Sequence, residues 1–225
     1  MKIYSLVFVF AIIFLSCKTK EKEVPVSKAI ETTILEKVAN AHGYQNWKNV
    51  EEIAFTFNVD RDSTHFARSW VWQPKANNVT HISGSDTLHY NRKNMDSVAF
   101  KTNAGFINDR YWLLAPFNLV WDQNNFTYEH DDEEVAPISK KTMQKLTIVY
   151  GNEGGYTPGD AYDFYFGDDY IVREWVFRKG NQSEPSMTTT WEGYSDIKGL
   201  KLVKDHKKEE GNFNLYIDGI SVQLK

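Results

Sequence analysis

The 225-residue sequence predicts a mainly β protein: a single curled antiparallel sheet, a half-barrel of about 10–12 strands, with an N-terminal helix and a short helical lid or plug. Three observations carry that prediction. From residue 51 onward apolar side chains recur with a period of two, as in "IAFTFNV", where Ile53, Phe55, Phe57 and Val59 share one face. Gly, Asn, Asp and Pro punctuate the chain at short spacing. Two segments, 27–43 and 105–122, break the alternation and read as helical.

In chain order, the first element is a leader. Met1-Lys2 is a short positive start and Ile3–Leu15 is almost wholly apolar, a run that suits a secretory signal and is short for a bilayer-spanning helix. The only cysteine, Cys17, follows at once. This arrangement resembles a bacterial lipoprotein signal: Ser16 matches the small residue expected before the cysteine, while Phe14 departs from the usual leucine. The resemblance implies a signal peptide over 1–16 and a thioether-linked, N-acylated Cys17, with chains such as palmitate, anchoring the protein to the membrane. With Cys17 consumed, no thiol remains for a disulfide, a nucleophile or a metal. Residues 17–27 form the lipidated cysteine and a charged, ring-free tether, leaving 28–225 as one domain with room for a full core.

"SKAIETTILEKVANAHG" opens that domain as a helix that Ser27 can cap, with Ile30, Ile34, Leu35 and Val38 in one stripe and His42 as a cap or packing residue. Strands follow at "IAFTFNV", "HFARSWVWQP", "NVTHIS", "DTLHYN" and "DSVAFKT". "GFINDRYWLLAPFNLVWD" reads as a short helix stopped by Pro116 and then an apolar loop. It either plugs the open end of the sheet or covers an apolar cavity as a lid. Two further strands are joined by the acidic "EHDDEE", read as a solvated loop. In "YTPGDAYDFYFGDDYIVREWVF" two turns flank two ring-rich strands, and Asp168 and Asp169 belong to the second turn. Asp163 lies within a strand, where Arg173 on the next strand would satisfy it.

Little in the sequence points to catalysis. There is no G-x-S-x-G elbow, no phosphate-binding loop and no H-E-x-x-H. The six histidines are scattered, and His81 and His89, placed to face each other across a hairpin, lack further ligands, so neither a metal site nor a cofactor is expected. A net charge of −4 gives no basic surface for nucleic acid. Carboxylates such as Asp109, Asp160 or Asp163 keep open an envelope hydrolase acting through an acid pair.

"AHGYQNWKNV", "NDRYWLLAPFNL" and "YTPGDAYDFYF" together resemble a family of diderm-bacterial lipoproteins, although many relatives continue the middle piece as "PW-K-L-D-P-G" where this chain has Phe117 to Asp122. More distantly, a helix followed by many strands is similar to the LolA/LolB-type lipoprotein carriers. That resemblance implies a curled sheet whose apolar concavity holds acyl chains. It implies a non-enzymatic outer-envelope lipoprotein that binds a lipid or other apolar ligand, lined here by Phe55, Phe57, Trp70, Trp72, Trp112, Leu113 and Phe117. Lys18 is not the aspartate that commonly retains lipoproteins at the inner membrane, so the outer membrane is implied, on either its periplasmic or its surface face. A partner-binding or structural lipoprotein with a hollow filled by its own side chains is the remaining alternative.

Overall fold

A capping box opens the first helix. In the computed structural model, which describes residues 32–225, the Thr33 hydroxyl accepts from Glu36 N (3.2 Å) and the Glu36 carboxylate accepts from Thr33 N (2.9 Å). This pair opens α1 (Ile34–Ala41) later than Ser27 would. Ser27, Cys17, the signal and the tether lie outside the described residues. The helix ends at Gly43, whose φ of +90° is one that L side chains rarely adopt, and an added Cβ there would lie 2.0 Å from the Gly199 carbonyl oxygen. A 3₁₀ turn (Tyr44–Asn49) then leads into the sheet.

The strands are β1 (Val50–Arg61), β2 (Thr64–Gln73), β3 (Asn78–Ser83), β4 (Asp86–Asn91), β5 (Phe126–Val135), β6 (Thr142–Tyr150), β7 (Ala161–Phe166), β8 (Val172–Arg178), β9 (Met187–Thr190), β10 (Ser195–Ile197), β11 (Leu200–Leu202), β12 (Asp205–Lys207) and β13 (Phe213–Leu224). Every pairing among them is antiparallel. Six strands run in the order β12-β13-β1-β2-β3-β4 and five in the order β5-β6-β7-β8-β9. The two sheets meet at a narrow seam. Just beyond β9, Glu192 N donates to the Asp205 carbonyl (3.0 Å), and Lys207 N donates to Thr190 Oγ1 (3.0 Å). The result is one curled, unclosed antiparallel surface with β5 and β4 at its free edges and the β10–β11 hairpin as a separate pair.

The second helix is the largest correction to the sequence reading. α2 runs from Ser97 to Trp121, absorbing "DSVAFKT" and continuing through Pro116. Asp96 caps it, its carboxylate accepting from Val98 N (3.0 Å) and Ala99 N (2.8 Å), so what looked like strand alternation is the first helical turn. Proline has no N–H and crowds the preceding turn, and the helix accommodates it by breaking at Leu114 (φ −127°, ψ 20°). Buried residues surround α2 over Tyr111–Leu119, as expected of a helix enclosed by the rest of the protein.

Two smaller corrections concern acidic residues. "EHDDEE" is part of β5, not a loop; its exposed carboxylates and a register shift between Asp131 and Glu134 blunt an edge strand against pairing with another chain. Asp163 is met by Arg178, while Arg173 turns to Asp169 (2.6 Å). β7 is buried along its whole length because the β5–β6 connection folds over its outer side, held by the Glu174 carboxylate accepting from Ile138 N (2.6 Å) and Ser139 N (2.8 Å).

Two buried histidines tie pH to stability. His42 does cap α1, but burial holds it neutral, with its pKa lowered to about 4, and its Nδ1 donates to the Val38 carbonyl (2.8 Å). His206 sits between Trp112 (5.0 Å) and Trp191 (4.7 Å), and burial lowers it to about 3 against a weaker opposing pull from the backbone of Thr190 and Trp112. Each ring is protonated more readily in the unfolded chain. The stability contributed is therefore full above about pH 6.5 and is lost as pH falls toward 4 for His42 and 3 for His206. At pH 5 each should have lost about 2 kcal/mol. Urea unfolding at pH 7 and pH 5 should show the drop, and His206→Leu, which removes one of the two titrating rings, should shrink it.

Candidate functional site

Placing the sequence-nominated residues shows what occupies the hollow. Phe55 and Phe57 on β1, and Trp70 and Trp72 on β2, are buried on the sheet face that meets α2; Trp112, Leu113 and Phe117 are buried on α2. Phe106 of α2 lies 5.5 Å from both Trp70 and Trp72. Tyr111 reaches Tyr162 on β7 (5.2 Å), and Trp112 reaches Trp175 on β8 (4.7 Å). A helix that touches β2 on one side and β7 and β8 on the other lies inside the curl. The segment read as plug or lid is thus seated in the concavity, and all seven nominated residues belong to one packed cluster with it.

The three nominated carboxylates are each engaged. Asp109 is fully buried and accepts four hydrogen bonds: Arg68 Nε (2.5 Å), Arg68 Nη2 (2.7 Å), Trp70 Nε1 (2.8 Å) and Asn108 Nδ2 (3.0 Å). Gly105 makes room for this pair, because a Cβ there would meet the Arg68 guanidinium at 2.7 Å. Asp163 accepts from Arg178 Nε (3.0 Å), Arg178 Nη2 (3.1 Å) and Thr147 Oγ1 (2.8 Å). Asp160 accepts from Gly180 N (2.8 Å) and is partly exposed. All three are thus tied to an arginine or to backbone, which removes the support these carboxylates lent the hydrolase alternative. His81 and His89 are not opposed either: Thr80 faces His89 and Leu88 faces His81 in the β3–β4 register.

The site that sequence reasoning missed lies where Trp121 at the end of α2 meets β2. A cleft of about 360 Å³ is walled by Trp47, Trp72, Trp121, Tyr156, Arg92 and Arg110, with Ile107, Pro74, Gly155 and Asp122 completing it. The Arg110 guanidinium lies over Trp72 (5.4 Å) and Trp121 (5.1 Å). Trp47 crosses both rings at 5.4 and 5.1 Å. Arg92, just after β4, donates from Nε to Asn103 Oδ1 (3.1 Å) and rests over Phe106 (5.4 Å). Tyr156 is fixed by stacking on Tyr111 (3.8 Å, 4° between planes), and Gly155 lets its loop pass, since a Cβ there would strike the Tyr150 ring at 2.5 Å. Burial, and then the neighbouring Arg92, lower Arg110 to about 10, so it stays protonated at neutral pH. Burial raises Asp122, against the lowering effect of its hydrogen bond from the Tyr150 hydroxyl (3.1 Å). Arg92 and Arg110 sit eighteen positions apart on different elements, and no local motif links them. The one hint was the long apolar helix interrupted by an arginine in "NDRYWLL".

Comparison with solved structures supports the fold at this point. The chain is similar to a DUF1329 family protein from Desulfovibrio piger (TM-score 0.50, 11% identity, covering 84% of this chain and 92% of that one). It is equally similar to a LolA superfamily protein from Nitrosomonas europaea (TM-score 0.50, 10% identity, 84% and 92% covered). No family model and no curated protein matches the sequence. The fold is that of the LolA-like proteins, as the distant sequence resemblance implied.

The Arg68–Asp109 pair should be worth testing on its own. Asp109→Ala leaves a partly buried guanidinium and the Trp70 N–H unpaired and should cost about 3 kcal/mol in urea unfolding. A loss under about 1 kcal/mol, the level of a surface pair, would show that the pair does not hold α2.

Proposed function

We propose that the protein is a non-enzymatic envelope lipoprotein, anchored to the outer membrane through Cys17, that binds a lipid, an acyl chain or another apolar ligand between α2 and the concave face of the sheet. The observation that carries this reading is the uneven attachment of α2. Its first half is clamped by Arg68–Asp109, a directional and desolvated contact. Beyond the break at Leu114, Phe117 and Leu119 are held by apolar packing, which an acyl chain can replace without leaving a polar group of their own unpaired. Asn118 adds to the contrast: it is buried, and both of its amide side-chain atoms lack partners among the described residues, a local penalty that displacement would relieve. Similarity in fold to a LolA superfamily protein supports the same reading.

Two experiments test it. Lipid mass spectrometry on the Cys17→Ser chain extracted from cells should recover a co-purifying acyl species, and the emptied protein should take up a fluorescent fatty acid. Repeated recovery of empty protein that takes up none would leave the filled-core, partner-binding alternative. Separately, the wild-type chain should incorporate labelled palmitate and sediment with outer membranes, whereas Cys17→Ser should do neither. Sedimentation of the Cys17→Ser chain to the same extent would contradict the anchor.

A further inference from the structure

We propose that the cleft beside Arg110 receives the oxyanion head of an amphipathic ligand, with Arg110 and Arg92 supplying the charge and Trp72 and Trp121 the floor. This rests on the apolar-ligand reading only for the identity of the ligand's body; the head site stands on its own observations.

The first is a cation with no contact ion pair among the described residues, Asp122 lying near it without touching it. Arg110 makes no ion pair and no hydrogen bond among the described residues, and its Nε is shut off from solvent and unpartnered. Stacking on two indoles steadies the positive charge but satisfies none of the five guanidinium N–H groups, which point in the plane of the fork. Buried donors left unpaired are rare in folded proteins and call for an explanation. The second observation is that Trp72, which lines the cleft, carries a buried Nε1 donor that also has no partner among the described residues. Both groups can only donate, so they suit a ligand group rich in acceptor oxygens. A carboxylate or a phosphate ester is such a group, and guanidinium holds both with paired hydrogen bonds.

The charge balance narrows the class. Arg92 and Arg110 face one acid in the walls, Asp122, whose carboxylate is engaged by the Tyr150 hydroxyl, so the cleft is positive overall and suits a monoanion. Most of the remaining wall is ring or aliphatic carbon: Trp47, Trp121, Tyr156, Ile107 and Pro74. A volume of about 360 Å³ admits a head and a few methylenes, and the rest of a longer chain would follow α2 inward past the break at Leu114. A fatty acid and an anionic phospholipid both offer this chemistry.

Tryptophan fluorescence of the Cys17→Ser chain provides the readout, since Trp47, Trp72 and Trp121 line the cleft. Titration below the micelle threshold should show decanoate binding about tenfold or more tightly than decanol, and decyltrimethylammonium more weakly than either. Arg110→Gln should abolish the preference for decanoate while leaving decanol affinity unchanged, and Arg92→Gln should reduce it severalfold. If Arg110→Gln misfolds, the wild-type comparison of decanoate with decanol decides alone. Flotation with phosphatidylglycerol against phosphatidylcholine vesicles separates the sources. Selective flotation lost in Arg110→Gln assigns the head to a bilayer lipid, and decanoate preference without flotation assigns it to a free acid. Equal affinity for decanoate and decanol would overturn the oxyanion site and leave the apolar-ligand reading intact. Binding of neither would overturn both.

Discussion

The buried contact between Arg68 and Asp109 is the constraint on which the rest of the structure turns. A carboxylate with no solvent exposure, at the middle of a helix inside a curled sheet, is tolerable only because three groups from β2 and one from its own helix donate to it. Removing any one leaves a desolvated charge or donor. The pair therefore fixes both the rotation and the axial position of α2 against β2, and through Phe106 it sets where Trp70 and Trp72 can lie. Gly105 is part of the same arrangement, because the guanidinium occupies the space a side chain would need.

From that fixed point the helix passes through a gradient of attachment. Directional contacts hold Asn103 to Asp109; rings and aliphatics hold the second half; and Tyr150 and the stacked Tyr156 loop meet its end. A fold of this class that is filled by its own helix can still be a carrier if the filling is replaceable. Apolar contact is non-directional, so exchange of helix side chains for an acyl chain is close to neutral in free energy, whereas exchange of the Asp109 cluster is not. The proline at 116 and the break at Leu114 fall at the boundary between the two regimes.

Much of the sheet was legible in the sequence because alternation and turn chemistry are local. Phe55, Phe57, Trp70 and Trp72 share a face as their spacing requires, and Asp169 folds onto Ile171 N within its turn. Non-local facts were harder to read. The span 97–121 looked broken because Pro116 is a local stop signal, while burial on all sides outweighs the lost hydrogen bond. Asp163 had two arginines within reach on the same strand; Arg173 is drawn to the turn by Asp169, leaving Arg178. The arginine cleft was hidden because Arg92 and Arg110 meet only when α2 lies in the hollow, a placement no periodicity encodes.

Hydrogen exchange along α2 tests the central claim most directly. In the free protein the amides of 103–113, clamped by Asp109, should exchange only with global unfolding. Those of 117–121 should exchange through a smaller local opening. Saturating decanoate should change exchange over 114–121 and leave 103–110 as it was. Uniform protection along the whole helix, unaltered by a ligand shown to bind, would contradict the account.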